Sequence, residues 1–564
     1  MNRKLIFAIF LMSFLSAQVN YSNDLQVRYG DSSNDFNYNE IYLNSTISYI
    51  QKDYILEAIL SFENSNPPEI GLDQTGLRKY LIGYYNKNWS VELGDIYQTW
   101  GRGLLLNQLD YQNLDFDTGS RGFGIKFQNN KYLFNVLAGD VKTRKSTALL
   151  GSYNPRVPNY HVDQSIYGAD YNYLNEDYSL GMSILVSDER ARSLEHILSS
   201  ARYSYSYKNG ELYLSVINKN TSRDDKIGFN YEKIEGSGFY FTNTNYLKEW
   251  SVTTAYRSFE LDVKDPIFKD DIFQNYGHAL DFQQSPTGYF QHTFRLLSRN
   301  SKEVNLNDEI GIEIQLSGPI SENSSLSMNY MKSSSTKRWF SEWSGDWYSK
   351  ENSFLPSSDN NSYPFEEIYL EFSGYSKNGK LYYKTGFDIQ NQVFNVLKNG
   401  PEQSSFEIMD SESIPLLLSY SLSEMWNIEL QLEYQKLKTG FENFFHSDIQ
   451  GVDDTNYFYS ILNKTHQYNK FLSLSANFNQ KWNFNLSHED TNADEIKLND
   501  GTDRGFDTSS SWSSIAISYK FDSDDSLQIF YGSVRGGLDC TNGVCRYIQE
   551  FEDGVRIDYT SNLN

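Results

Sequence analysis

The sequence predicts an all-β protein, a single large antiparallel transmembrane β-barrel with short periplasmic turns and long extracellular loops; about 26 strands are expected, within a range of roughly 24 to 28. Three observations lead there. From Met425 to Gln435, Trp426, Ile428, Leu430, Leu432 and Tyr434 fall on one face and Asn427, Glu429, Gln431, Glu433 and Gln435 on the other. That is period-two alternation, a strand with one apolar and one wet face. The same two-faced unit recurs from end to end. The connections between units alternate between short and long.

Composition agrees. The chain has 564 residues and a formal net charge of −24, with 44 Tyr and 36 Phe but only 11 Pro. Aromatic richness with modest total hydrophobicity suits a cylinder whose lumen is as polar as its outside is apolar. No internal apolar run approaches the roughly 20 residues that a membrane helix needs. No basic stripe exists to meet phosphates, which argues against a nucleic-acid partner.

In chain order, residues 1–17 read as a secretory signal peptide. Arg3 and Lys4 open it, Leu5 to Leu15 is its apolar core, and Ser16-Ala17 precedes Gln18 as the cleavage point. Residues 18–564 are then the barrel. Strand patterning starts near Asp24 to Gly30, leaving no room for a globular plug before it. Short polar turns follow at 51–53, 86–88, 129–130, 175–177, 208–210 and 248–249. They continue at Ser285-Pro286-Thr287-Gly288, 321–323, 377–379, 423–424, 480–481 and 522–525. Their Asn, Gly, Asp and Lys content is hairpin chemistry. Twelve such turns make 24 strands, and one strand from each end makes 26. The stretch 222–247 leaves room for an extra pair.

The residue just past eight of these turns is aromatic: Tyr54, Trp89, Tyr132, Tyr178, Trp250, Tyr289, Trp426 and Trp482. Rings at one height form an interfacial girdle. On the wet faces stand Glu309, Glu313, Glu367, Glu371, Glu429, Gln431 and Glu433. Burying such carboxylates unpaired in a dry core costs several kcal/mol each, on the order of 2–7 for a polar group. A watery lumen removes that cost, so these residues are expected to line it.

Two stretches are richer in signal. Gly94-Asp95-Ile96-Tyr97-Gln98-Thr99-Trp100-Gly101-Arg102-Gly103-Leu104-Leu105-Leu106 is followed by Asp115-Phe116-Asp117-Thr118-Gly119-Ser120-Arg121-Gly122. Asp95, Arg102, Asp115, Asp117 and Arg121 are expected to form one ion-pair cluster that pins a loop inside the lumen. The functional reading is a pore constriction, and the plainer one is a structural clasp. No Gly-Lys-Ser/Thr ending is present, so this is not a phosphate loop.

These stretches, with Gly536-Gly537-Leu538-Asp539-Cys540 to Arg546 near the end, resemble an uncharacterised family of Gram-negative outer-membrane proteins known only as a domain of unknown function. The resemblance implies a barrel in the outer membrane and lends no established activity. The chain departs from it at the end: Val555, Ile557 and Tyr559 alternate, but the sequence runs on to Asn564 without a terminal aromatic.

Cys540 and Cys545 are the only cysteines. In an exported chain so close a pair reads as a disulfide shaping the last outer loop. Free thiols or half a metal site are the alternatives. Trp339, Trp343 and Trp347 are spaced four apart. On a helix they would make one stripe, a candidate ligand platform or pore lid, or simply a helix packed on the rim. The seven His show no metal-ligand spacing, so no metal or cofactor is expected. His488-Glu489-Asp490 is the nearest thing to a hydrolytic cluster, and Asp453-Asp454 and Asp500 to Asp503 read as solvated loops. No enzymatic activity is expected.

The functional expectation is a porin-like channel for polar solutes in the Gram-negative outer membrane, surrounded by lipid bilayer and lipopolysaccharide. Its carboxylate-rich lining favours cations or neutral solutes. The alternatives are a non-conducting barrel serving a secretion or surface-assembly machine, with outer-membrane partner proteins on its loops, and an outer-membrane hydrolase.

Overall fold

The structure is a computed structural model. It describes residues 18–563 apart from 33–35, 66–73, 112–115, 146–159, 191–192, 224–233, 262–279, 281, 284–289, 291, 300–301, 303, 342–346, 398–404, 443–466, 493–494, 498–502, 507–509, 522–524, 542–543 and 549. The signal-peptide segment, Asp115, Tyr289, Trp343 and Asp453-Asp454 therefore lie outside the described residues.

The barrel strands are β1 (Gln18–Ser32), β2 (Phe36–Ile50), β3 (Tyr54–Ser65), β4 (Gln74–Asn86), β5 (Trp89–Ile96), β6 (Ser120–Gln128), β7 (Tyr132–Lys145) and β8 (Tyr160–Leu174). Next come β9 (Tyr178–Glu189), β10 (Leu194–Tyr207), β11 (Gly210–Arg223), β12 (Ile234–Leu247), β13 (Trp250–Glu260), β14 (Asp308–Ser321), β15 (Ser324–Ser334) and β16 (Phe365–Tyr375). The last are β17 (Leu381–Leu397), β18 (Ser405–Ser421), β19 (Trp426–Glu442), β20 (Gln467–Phe478), β21 (Trp482–Thr491), β22 (Ser510–Lys520), β23 (Ser526–Val534) and β24 (Phe551–Leu563).

Each strand pairs antiparallel with the next, giving one 24-stranded sheet. β24 returns to β1, with Tyr559 opposite Leu25, and closes the cylinder. Closure leaves no open edge, which is the condition for a sheet to cross lipid.

The strand number is 24, the lower end of the expected range, and one turn accounts for the gap from 26. Eleven of the twelve expected short turns join consecutive barrel strands. Ser285 to Gly288 lies outside the described residues and falls in sequence between β13 and β14, which pair directly with each other, so it joins no two barrel strands. Eleven turns make 22 strands, and the two ends bring the total to 24. The stretch 222–247 holds only the end of β11 and β12 among its described residues.

The outward face is apolar. Ile82, Leu93, Met182, Ile184, Leu432, Tyr434, Leu486, Ile515 and Ile529 are all exposed. A water-soluble protein rarely exposes so continuous an apolar surface. A bilayer covers it, and the chain is an outer-membrane barrel. Seven strands open on an aromatic residue just past a turn: Tyr54, Trp89, Tyr132, Tyr178, Trp250, Trp426 and Trp482. Their rings meet neighbours at the same height, Trp426 on Phe478 at 4.7 Å and Trp482 on Tyr519 at 4.4 Å.

The Trp339 stretch is not helical. Lys337–Ser341 pairs antiparallel with Trp347–Asn352 in a loop hairpin. Ser344-Gly345-Asp346 is turn chemistry, and the flanking aromatics suit a strand as well as a helix. Trp339 is buried, its indole N–H donating to Asp308 Oδ2 at 2.8 Å. Trp339 and Trp347 thus lie on paired strands and not on one helix, so the expected helical stripe is absent.

Candidate functional site

Among the described residues, two connections fold into the lumen. The first is 97–119, between β5 and β6. Trp100, Leu104, Leu105 and Leu106 on it are at most 3% exposed. They pack on lumenal side chains of the wall: Leu137 and Val141 of β7, Ile166 of β8, Leu185 of β9, Leu198 of β10 and Tyr240 of β12. The run of three leucines buries on all sides because wall and loop both offer apolar surface. Gly101 sits at φ +63, and a Cβ there would meet the Arg202 side chain at 2.3 Å, so the turn needs glycine. Trp100 Nε1 donates to Gln98 Oε1 at 2.9 Å, satisfying the one polar atom of the ring.

The far end of this loop is tied to β4. Asp117 pairs with Lys79 at 2.7 Å and Arg78 at 3.6 Å. It also accepts from Tyr97 Oη at 3.0 Å and from the Gly119 amide at 2.9 Å. Burial acts to raise the Asp117 carboxyl, but Lys79, the Gly119 amide and Arg78 together hold it below its ordinary value.

Asp115 lies outside the described residues, and the other four of the expected cluster do not come together. Arg102 reaches across to Thr242 Oγ1 at 3.0 Å and lies over the Tyr213 ring at 4.1 Å. Asp95 and Arg121 do meet, at 3.0 Å, as cross-strand neighbours on β5 and β6. Alternation puts them on the face of Leu93 and Phe123, the outward one, because each is two residues from its apolar neighbour. Of these residues, Asp117 and Arg102 tie the lumenal loop to the wall, Asp117 at β4 and Arg102 at β11 and β12.

The second connection joins β13 and β14. Its described part begins beside the first loop, where the Asn107 amide donates to the Phe282 carbonyl at 2.7 Å. It then crosses the lumen. His292 Nε2 lies 2.8 Å from Glu367 Oε1 on β16. Phe294 and Leu297 pack against Tyr369. Arg295–Ser298 forms a single helical turn, α1. Its first amides, Arg295 and Leu296, donate to the two oxygens of Glu433 on β19 at 2.8 and 2.7 Å. Amides at a helix start have no partner of their own, so a carboxylate there is the natural acceptor.

On the far wall, Glu489 of β21 gathers three guanidinium groups. Arg295 is 2.8 Å away, Arg299 3.2 Å and Arg535 3.2 Å. Arg299 also donates to the carbonyls of Gly536 at 2.7 Å and Arg535 at 3.0 Å. Burial pushes the Arg299 guanidinium down to about 10, with Glu489 pulling the other way, so it stays charged near neutral pH. His488 and Asp490 sit on the opposite face of β21 from Glu489, so those three residues form no common cluster.

The remaining acidic positions also face inward, mostly with partners. Arg257 on β13 lies 2.9 Å from Glu309 and 3.7 Å from Glu313. Glu371 pairs with Lys384 at 2.9 Å. Gln431 donates to Glu433 at 2.5 Å, and Glu429 is half-buried beyond it. Sequence reasoning missed a further knot. Arg202 donates to Asp170 Oδ1 and Ser183 at 2.5 Å each, and Asn135 donates to Asp170 at 3.0 Å. Inward alternation of these four could have shown them. On the turn side of the first loop is a lumenal pocket of about 440 Å³, lined by Tyr85, Glu92, Tyr97, Trp100, Lys126 and Asn135.

Among the described residues, one group of metal-competent side chains converges: His292, Glu367 and Asp388, all buried, with ligand atoms within 4.8 Å of one another.

A family model described as a family of unknown function, DUF6029, matches residues 5–563. No curated protein matches the sequence. Among solved structures, the siderophore receptor PirA from Pseudomonas aeruginosa is similar at 8% identity and TM-score 0.47, over 97% of this chain and 80% of that one. The copper transporter OprC is similar at 10% identity and TM-score 0.47, with the same coverage of 97% and 80%. The FrpB iron transporter from Neisseria meningitidis is similar at 7% identity and TM-score 0.44, over 99% of this chain and 84% of that one. At these values the likeness is one of outline.

Proposed function

We propose that this chain, which belongs to the family of unknown function DUF6029, is a gated outer-membrane channel for small polar solutes, with the second lumenal connection as its movable part. The observation that carries this reading is the clasp at Glu433 and Glu489. It ties α1 and Arg299 to the far wall through charged and hydrogen-bonded contacts, beside the apolar contacts of Phe294 and Leu297 with Tyr369. Such contacts exchange with water when the segment lifts, whereas an apolar seat resists wetting. The polar inward wall and the lumenal pocket supply a path lined by groups that replace solute hydration. Lumenal carboxylates are largely matched by Arg257, Lys384 and the clasp arginines, so the cation preference is modest.

Planar-bilayer recordings of the purified barrel across a salt gradient test this. The expected result is discrete openings with a reversal potential shifted slightly toward cations. Strong anion selectivity would count against the lining proposed here. A second reading, a non-conducting barrel, is favoured by the apolar packing of the first loop. Silence from both the natural chain and clasp variants would support it.

A further inference from the structure

We infer that His292, Glu367 and Asp388 form a binding site for one divalent first-row metal ion of the zinc class, which fastens the second lumenal connection to the wall. The three come from separate elements: His292 from the lumenal segment, Glu367 from β16 and Asp388 from β17. Glu367 stands opposite Gln390, and Tyr369 opposite Asp388, so all four share the inward face.

The argument rests on what these groups lack. Asp388 is fully buried, and neither of its carboxylate oxygens meets a donor. His292 Nδ1 is buried without a partner, and so is Gln390 Oε1. Gln390 Nε2 is spent on Glu367 Oε1 at 2.7 Å, which leaves its oxygen as a spare acceptor. Asn329, in the same cross-strand row as Tyr369 and Asp388, is also buried with its amide unpartnered. Native interiors rarely strand so many polar atoms at one place. Two buried carboxylates side by side must be neutralised. The buried lumenal Arg257 already serves Glu309 and Glu313.

A dication answers both deficits. It takes lone pairs from an imidazole and two carboxylates and cancels their charge. One imidazole with carboxylate oxygens suits zinc-class ions rather than calcium, which prefers an all-oxygen shell. Gln390 Oε1 is the candidate fourth ligand. The alternative is a proton shared between Glu367 and Asp388, and the test separates the two.

The full-length barrel in detergent is stripped with EDTA and titrated with Zn²⁺ by calorimetry, with bound metal counted by elemental mass spectrometry. The expected result is one tight equivalent, weakened at least about ten-fold in Asp388→Asn and in His292→Gln. Asp117→Asn, which lies at the first loop, should keep the site. Heat-modifiable electrophoretic mobility reports folding of each variant. Because His292 is on the lumenal segment and not on a barrel strand, His292→Gln serves if Asp388→Asn misfolds. Failure to saturate at one equivalent, or unchanged Zn²⁺ affinity in a folded His292→Gln, would overturn the site and leave the shared proton. Because the readout is binding and not conductance, it stands or falls apart from the channel proposal.

Discussion

The two connections that enter the lumen sit side by side yet differ in balance: the first has an extended apolar seat with one ion-paired end, whereas the second adds a charged clasp to a smaller apolar contact at Tyr369. Trp100 and Leu104 to Leu106 seat the first among Leu137, Ile166, Leu185 and Leu198. Glu433 and Glu489 hold the second by its amides and arginines. Apolar seating gains from every CH₂ removed from water, roughly 1.5–3 kcal/mol per large side chain, and responds weakly to salt. A charged clasp gains less, because desolvation opposes the attraction. Such a clasp depends on ionic strength and on one or two key partners. A segment built to stay should look like the first, and a segment built to move like the second.

That contrast can be broken from either side. Trp100→Ala should have the largest effect, a loss of about 3–5 kcal/mol from the first loop's seat. Denaturant unfolding in micelles checks the loss, and hydrogen exchange should rise over 97–119 while 290–299 is little changed. Glu489→Gln should weaken the second clasp by about 3 kcal/mol, roughly a hundred-fold in the ratio of open to closed, by leaving three guanidinium groups without their common anion. Single-channel open probability reads this directly.

The last outer hairpin offers a smaller handle on the second segment alone. Cys540 and Cys545 stand opposite one another in the hairpin pairing Gly537–Thr541 with Val544–Ile548, next to the Arg535 and Gly536 carbonyls that Arg299 uses. A disulfide there would contribute about 2 kcal/mol in the chain-entropy model. Non-reducing peptide mapping should find it, and reduction should raise opening without touching the first loop's stability. Salt follows. Going from about 0.1 M to about 1 M shortens the screening length from roughly 10 Å to 3 Å and should increase opening in the natural chain but not in Glu489→Gln.

The smallest expected effect is at Asp117. Its carboxyl is held below the ordinary value, so its tie to Lys79 is in place above the ordinary carboxylate range and is lost as pH falls through the lowered value. Acid should therefore loosen the outer end of the first loop, and Asp117→Asn should remove that dependence. Exchange rates of 97–119 against pH would show it.

What could be read from the sequence follows the same divide. Period-two alternation is local, so the barrel, its turns and its outer-membrane setting were visible in stretches such as Trp426 to Gln435. Ser285-Pro286-Thr287-Gly288 misled because turn chemistry does not say what a turn connects. The tell was the missing alternation around it, where Arg295-Leu296-Leu297-Ser298-Arg299 reads as neither strand face. The Trp339 stretch misled because aromatic spacing fits more than one backbone. The lumenal contacts were out of reach for a different reason. His292 and Glu367 are 75 residues apart, and Arg295 and Glu489 are 194 apart. Only closure of the cylinder brings them together.

The most direct test compares single-channel openings of the natural chain with those of Glu489→Gln and Trp100→Ala under one salt condition. A movable second segment predicts a large rise in open probability for Glu489→Gln and a much smaller one for Trp100→Ala. Equal responses, or a rise confined to Trp100→Ala, would contradict the assignment of the charged clasp as the gate.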